Sequence, residues 1–153
     1  MGFQPTAVKL FDRDIVSGRL SVMKSLKSTS QARYDLRYHF VWIPKYRKRV
    51  LMGKIAKSIE GMIRFAAQIN EWDIYELAIQ EDHIHLYMGA QPKWSPSMIV
   101  KKIKGGTSKK IREMYPELDE IYWGDQFWAD GYMVKSVGEV TDKVVSQYVK
   151  NQR

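Results

Sequence analysis

The stretch DIYELAIQEDHIHLYMGA, Asp73 to Ala90, contains two apolar runs with only a Glu-Asp pair between them. Strands joined by so short a connection pair antiparallel, so we expect a β-hairpin that turns at the two acids. Alternate side chains of a strand point to opposite faces, which directs Ile84 and Leu86 into a core. His83 and His85 then project together from the other face.

Patterning on both sides of this hairpin predicts the order β-α-β-β-α-β, followed by a C-terminal helix. This order is typical of an α+β fold, a ferredoxin-like (RRM-like) antiparallel sheet with helices on one face. The other face of the central strands is expected to be available. The predicted elements are strands over 34–43, 73–80, 83–90 and 131–137, and helices over 50–70, 95–115 and 141–152.

The second helix carries start and stop signals. Ser95 is the predicted N-cap and Pro96 the first helical residue. Gly105 and Gly106 predict a break inside this segment, because glycine is a poor helix former.

Length and composition limit the protein class. With 153 residues, 44% of them hydrophobic, the chain can bury one core. Residues 1–33 have mixed charge and weak periodicity and are predicted to be an extension or arm, with the domain at 34–153. The absence of cysteine excludes disulfides and zinc–thiolate sites. No signal peptide and no run of roughly 20 apolar residues is present, so we expect a cytoplasmic protein without a membrane partner.

The chain has a net charge of +8, which favours a polyanionic partner. Two basic blocks, residues 44–57 and residues 101–112, contain no acid, and each is either a solvated surface or a surface that binds DNA phosphates. The predicted DNA-binding residues are Lys45, Arg47, Lys48, Arg49, Lys101, Lys102, Lys104, Lys109 and Lys110.

A divalent metal site is one interpretation of His83 and His85, although such a pair is also common on solvent-facing strands. A metal needs further ligands. In the last helix, Tyr148 and Gln152 lie one turn apart and can present a phenol and an amide oxygen to the same volume. A phenol beside a metal is suited to phosphodiester transesterification. The alternatives are that Tyr148 covers apolar neighbours and that Gln152 is a frayed helix end.

Three aromatic residues, Trp123, Phe127 and Trp128, lie in an acidic segment. They can stack on unpaired bases or pack in the core or a dimer. The neighbouring acids repel phosphate, so packing is the preferred interpretation.

Five blocks together, YHFVWIPKYRKRVL, EDHIHLYM, KKIKGGTSKKIR, FWADGYMVKSVG and VVSQYVKNQ, resemble the small single-tyrosine HUH transposases of insertion sequences, the TnpA type. The resemblance covers Tyr34 to Gln152. It implies that His83 and His85 are the HUH histidines and that Gln152 completes a Mg²⁺ or Mn²⁺ site. It also implies that Tyr148 is the nucleophile, which forms a 5′-phosphotyrosine bond with single-stranded DNA and frees a 3′-hydroxyl.

The resemblance further implies a homodimer that recognises DNA hairpins near the element ends and excises the element as a single-stranded circle. Two other functions remain compatible with the residues. One is a host-serving endonuclease that cuts single-stranded hairpins without mobilising itself. The other is a non-catalytic nucleic-acid-binding domain, although such domains normally carry exposed aromatic residues where this chain has His83 and His85.

Overall fold

A computed structural model describes residues 26–138 and 150–151. The described residues belong to two compact units, divided between Leu36 and Arg37. In the first unit, strands β1 (Lys27–Ser28) and β2 (Arg33–Tyr34) form a small antiparallel hairpin. The Thr29 hydroxyl caps its turn by accepting a hydrogen bond from the backbone N–H of Ala32, at 3.1 Å.

The second unit contains a four-stranded antiparallel sheet in the order β4-β5-β3-β6. With its helices on one face, it has the predicted ferredoxin-like α+β arrangement. Its elements are β3 (Arg37–Trp42), α1 (Gly53–Asn70), β4 (Asp73–Gln80), β5 (His83–Gly89), α2 (Pro96–Met114), α3 (Leu118–Tyr122) and β6 (Met133–Ser136). Of the predicted C-terminal helix, only residues 150–151 are among those described.

The β4–β5 hairpin forms as its sequence predicts. Gln80 pairs with His83, so the chain reverses at Glu81 and Asp82. Ile84 and Leu86 are completely buried in the core that the sheet shares with α1 and α2. Because each such side chain stabilises the fold by roughly 1.5–3 kcal/mol when buried, the apolar positions of β5 determine its register.

The first predicted strand begins too early. Tyr34 belongs to β2, whereas β3 starts at Arg37. The apolar alternation continues through both strands, so it does not mark the boundary between them.

The predicted break at Gly105 and Gly106 is wrong, because α2 is continuous from Pro96 to Met114. Its start is as predicted, since the Ser95 side chain accepts a hydrogen bond from the backbone N–H of Met98 at 3.2 Å. Buried residues on both sides of the glycines hold the helix against the core. These are Ile99, Val100, Ile103, Thr107 and Ile111. Their burial outweighs a cost of about 1 kcal/mol for each glycine.

The sheet face opposite the helices is less available than expected. Tyr87 is completely buried there, together with Ala78 and Val137, and Tyr75 packs against them. Arg37 lies over the Tyr75 ring, 4.6 Å from its centroid. Alternation along the strands predicts which residues share this face but not what covers them.

None of the helices within residues 26–138 combines the length and the apolar character that a helix needs to cross a lipid bilayer.

Replacing Gly105 or Gly106 with Ala should stabilise the protein. A Cβ atom added at either position meets no atom within 4 Å, and glycine inside a helix costs about 0.5–1 kcal/mol relative to alanine. We expect each substitution to raise the free energy of unfolding in urea by roughly that amount. Gly131→Ala is the control and should destabilise, because Gly131 has a φ of 81°. Destabilisation by Gly105→Ala or Gly106→Ala would contradict the continuous helix.

Candidate functional site

All three histidines of the chain lie in one cluster on the sheet face opposite the helices. The rings of His83 and His85 are nearly perpendicular, with centroids 4.8 Å apart. His39 joins them from β3, because its neighbour Val41 pairs with His85 and two-residue spacing retains the face. His39 Nε2 lies 3.1 Å from His85 Nδ1, and the two rings stack.

Asp82 holds the ring of His83 in place. His83 Nδ1 donates a hydrogen bond to Asp82 Oδ1 at 2.6 Å, and the other carboxylate oxygen accepts one from Arg47 Nε at 3.0 Å. The hydrogen bond from His83, supported by Arg47, lowers the pKa of Asp82 below its ordinary value. Asp82 is therefore ionised at neutral pH and accepts from both neighbours.

His83 and His85 thus each use Nδ1 for a protein contact, so Nε2 is the ring nitrogen of each that would bind a metal. Burial, followed by the charges of His83 and His39, lowers the pKa of His85 to about 4. Burial and Lys135 lower the pKa of His39 as well. The imidazoles of His85 and His39 are therefore neutral at physiological pH, and neutral imidazole is the form that binds metals.

Two imidazole nitrogens fit part of a divalent metal site, and the remaining ligands must come from elsewhere. Across residues 26–138 and 150–151, no group of three or more His, Asp or Glu side chains is arranged to hold a metal ion. The predicted ligand Gln152 and the predicted nucleophile Tyr148 lie outside the described residues. Both remain predictions.

The end of the described chain lies on the histidine face. Lys150 Nζ is 3.5 Å from Glu76 Oε1. Glu76 pairs with Tyr87, two positions along β5 from His85, so its side chain shares the face of the histidines. The structure therefore brings a residue two positions after Tyr148 to this face.

The first basic block is largely paired with acids from other loops. Lys45 contacts Asp125 at 3.4 Å, and Arg49 contacts Glu81 at 3.0 Å. Arg47 is engaged with Asp82, as described above. These pairs reduce the positive charge that this block offers to a phosphate, so a DNA-binding role for Lys45, Arg47, Lys48 and Arg49 stays a prediction.

The second block extends along α2. Four of its lysines are exposed to solvent, namely Lys101, Lys102, Lys109 and Lys110. Lys104 differs, because its ammonium donates hydrogen bonds to the carbonyl oxygens of Ala129 at 2.7 Å and Gly131 at 3.0 Å. Partial burial lowers the pKa of Lys104. Its role in DNA binding also stays a prediction, with the backbone contacts as an observed structural role.

Sequence reasoning missed two members of the cluster. Asp82 was interpreted only as a turn residue, and His39 lies inside the strand predicted over 34–43 without an assigned role. The adjacency of Asp82 to His83 was a usable signal, since metal-binding histidines commonly donate their second N–H to a carboxylate. His39 had no local signal, because it meets His85 only through strand pairing.

Comparisons with known proteins agree with the resemblance seen in the sequence. The model of the IS200-like transposase family matches residues 32–152. The chain is 32% identical over 119 residues to the ISDra2 transposase TnpA of Deinococcus radiodurans, covering 78% of this chain and 85% of the relative. It is also 32% identical over 126 residues to the transposase for insertion sequence element IS200 of Salmonella typhimurium, covering 82% of each.

Solved structures give the same result for the fold. A crystal structure of a candidate transposase from Deinococcus radiodurans R1 superposes with a TM-score of 0.68 at 31% identity, covering 83% of this chain and 98% of that one. A REP-associated tyrosine transposase bound to a REP hairpin gives a TM-score of 0.55 at 13% identity, covering 80% and 68%, and supports the fold alone. With the family match over residues 32–152, these findings show that the chain belongs to the IS200-like transposases of insertion sequences.

Proposed function

We propose that this transposase is a metal-dependent DNA strand transferase that cleaves and rejoins single-stranded DNA through Tyr148. The main observation in support is that Lys150 contacts Glu76 on the face that carries His83 and His85. Tyr148 precedes Lys150 by only two residues, which span at most about 7 Å. The contact of Lys150 with this face supports Tyr148 as the residue that serves the histidine site.

Each step of the proposed reaction replaces one ester bond to phosphorus with another, so the number of ester bonds is unchanged. The phenolic oxygen of Tyr148 attacks the phosphorus and loses its proton to solvent. The bond between phosphorus and the 3′-oxygen breaks, and the leaving oxygen gains a proton to become a 3′-hydroxyl. The 5′-phosphate is retained as a phosphotyrosine ester. Attack by a second 3′-hydroxyl reverses these changes and joins the strands without ATP.

A divalent ion, Mg²⁺ or Mn²⁺, would be held by Nε2 of His83, Nε2 of His85 and the amide oxygen of Gln152. When bound, such an ion polarises a phosphate and offsets negative charge on its oxygens, a contribution of several kcal/mol. The protein's own contribution is to orient both imidazoles, with Nε2 directed away from their Nδ1 partners. Asp82 fulfils this role for His83 and His39 fulfils it for His85.

The lysines of α2 bind the backbone of a DNA hairpin. The exposure of four of these lysines on a single helix supports this role. The buried side of α2 packs on the sheet face opposite the histidines. Within one subunit, α2 therefore grips DNA away from the bond that is cut. The REP-associated transposase of similar fold was solved bound to a hairpin, which is consistent with this use of the fold.

The active form is a homodimer. Strand β6 supports this proposal, because it is an edge strand whose four residues are all exposed, including Met133 and Val134. Among the described residues, β6 pairs with β3 alone. An exposed apolar edge strand is a favourable surface for a second chain.

Tyr148→Phe should abolish covalent joining to DNA, because it removes the attacking oxygen and little else. We expect no phosphotyrosine adduct when the variant is incubated with labelled single-stranded hairpin DNA and Mn²⁺, while its affinity for that DNA matches the wild type. The control is Tyr34→Phe, which should form the adduct normally. An adduct that persists in Tyr148→Phe would mean that another residue is the nucleophile.

His83→Ala should remove specific Mn²⁺ binding, and Asp82→Ala should weaken it about 10- to 100-fold, because the carboxylate orients the ligand. The measurement is titration of Mn²⁺ followed by electron paramagnetic resonance of the free ion, which does not depend on DNA cleavage. Glu81→Ala is the matched control, since Glu81 neighbours Asp82 but pairs with Arg49. Equal affinities of the two acid variants would contradict the orienting role.

Lys109→Ala should weaken hairpin binding and reduce its salt dependence. A lost phosphate contact lowers the slope of log affinity against log salt by about 0.7–0.9. Arg64→Ala is the control, because it removes one charge from α1, where Arg64 pairs with Glu60. Fluorescence anisotropy over a range of salt concentrations measures the affinity of each variant for the hairpin and the salt dependence of that affinity. Identical slopes for the two variants would argue against a DNA contact at Lys109.

A further inference from the structure

Two exposed aromatic side chains, Tyr46 and Trp123, line the same cavity. Tyr46 is 66% exposed and Trp123 is 91% exposed. Phe127 and Trp128 follow Trp123 closely and are buried, so core packing is confirmed for these two, whereas core packing is wrong for Trp123. Tyr46 and Trp123 together are called the aromatic platform below.

Backbone contacts tie the two segments of the platform together. Lys45 N–H donates to the carbonyl of Phe127 at 2.8 Å, and Ala129 N–H donates to the carbonyl of Ile43 at 3.0 Å. A side-chain hydrogen bond also joins the two segments, because the Tyr46 hydroxyl donates to Asp125 Oδ2 at 2.6 Å. The platform is therefore a preorganised surface, which reduces the entropy lost when a ligand binds.

Both aromatic residues have unusual backbone conformations. Tyr46 has a φ of 60° and Trp123 a φ of 52°. Bulky residues rarely occupy this left-handed region, and strain of this kind is concentrated at functional sites. At Trp123 the position ends a helix and would ordinarily suit glycine. The strained position is instead used to present a large aromatic ring to solvent.

The charges around the platform are compatible with an anionic ligand. The cavity of about 430 Å³ beside the two rings is also lined by Lys48. Its acid, Asp125, is paired with Lys45 at 3.4 Å and with the Tyr46 hydroxyl. The acidic neighbours that argued against stacking in the sequence are thus offset, at Asp125, by contacts from another loop.

The platform is connected to the histidine cluster. Arg47 follows Tyr46 directly in the chain and contacts Asp82, which in turn holds His83. A ligand on the platform would therefore lie near the end of the sheet where His83 begins β5.

We infer that the aromatic platform binds an unpaired base of single-stranded DNA beside the cleavage site, with its phosphate near Lys48. This inference rests on the proposed function for its ligand, but it assigns a separate binding surface. An exposed π face with an adjacent cation suits a nucleobase, because every base can stack and every nucleotide carries a negative charge.

The test is a set of hairpin oligonucleotides with single-stranded flanks, in which one unpaired base at a time is replaced by an abasic site. Wild-type protein should lose affinity at one position by about 5- to 150-fold, the range for one stacked base. Trp123→Ala should bind the unmodified DNA more weakly by a similar factor. It should show no further loss with the abasic DNA, because both changes remove the same contact.

Two controls isolate the stacking. Phe65→Ala removes another exposed aromatic side chain, 62% exposed on α1, and should leave binding unchanged. Tyr46→Phe retains the ring and should show the same loss of affinity at the abasic position as the wild type. Tyr46→Ala should show a smaller loss. The inference is overturned if Trp123→Ala and wild type lose the same affinity at every abasic position. It is equally overturned if Trp123→Ala changes the molecular mass from dimer to monomer and leaves base stacking intact.

These outcomes are separable from failure of the proposed function. If the wild type forms the Tyr148 adduct but Trp123→Ala binds all DNAs normally, only the platform inference fails. If the wild type neither binds hairpin DNA nor forms an adduct, the proposed function fails and the platform inference fails with it.

Discussion

The register of β5 between β3 and β4 is the constraint on which the rest of the site depends. Its even-numbered residues are buried against the helices, and a slip of one position would expose them and bury the histidines in the core. The hydrophobic effect therefore determines the geometry of a polar site. The pairing of β3 with β5 fixes the register of β3 as well, and this places His39 beside His85.

Ion pairs then modify this framework in two ways. The acids of the turn between β4 and β5 neutralise part of the first basic block, and one of them also orients His83. Asp125 acts similarly on Lys45 and Tyr46. Among the described residues, α2 carries four exposed lysines, on the opposite side of the sheet from the histidines. Within one subunit, binding of the hairpin and cleavage of the strand are thereby proposed to occur on different faces of the sheet.

Much of the architecture could be predicted, since it follows from local patterns. Alternation identified the β4–β5 hairpin and the shared face of His83 and His85, and Ser95 and Pro96 marked the start of α2. The failures have physical causes. Gly105 and Gly106 have low intrinsic helix propensity, but tertiary burial of Ile103 and Ile111 holds their helix together. Alternation across β2 and β3 hid the boundary at Arg37, and it could not show that Tyr87 is covered.

The sequence alone determined the order of the elements, the pair of histidines on one face and the membership of the family. These properties depend on spacing along the chain and on residue type. Only the tertiary structure decided that His39 contacts His85, 46 residues away, and that the acids of distant loops pair with the first basic block. It alone separated the exposed Trp123 from the buried Phe127 and Trp128. The reason is that burial and ion pairing depend on which loops meet in space, and no local periodicity encodes that meeting.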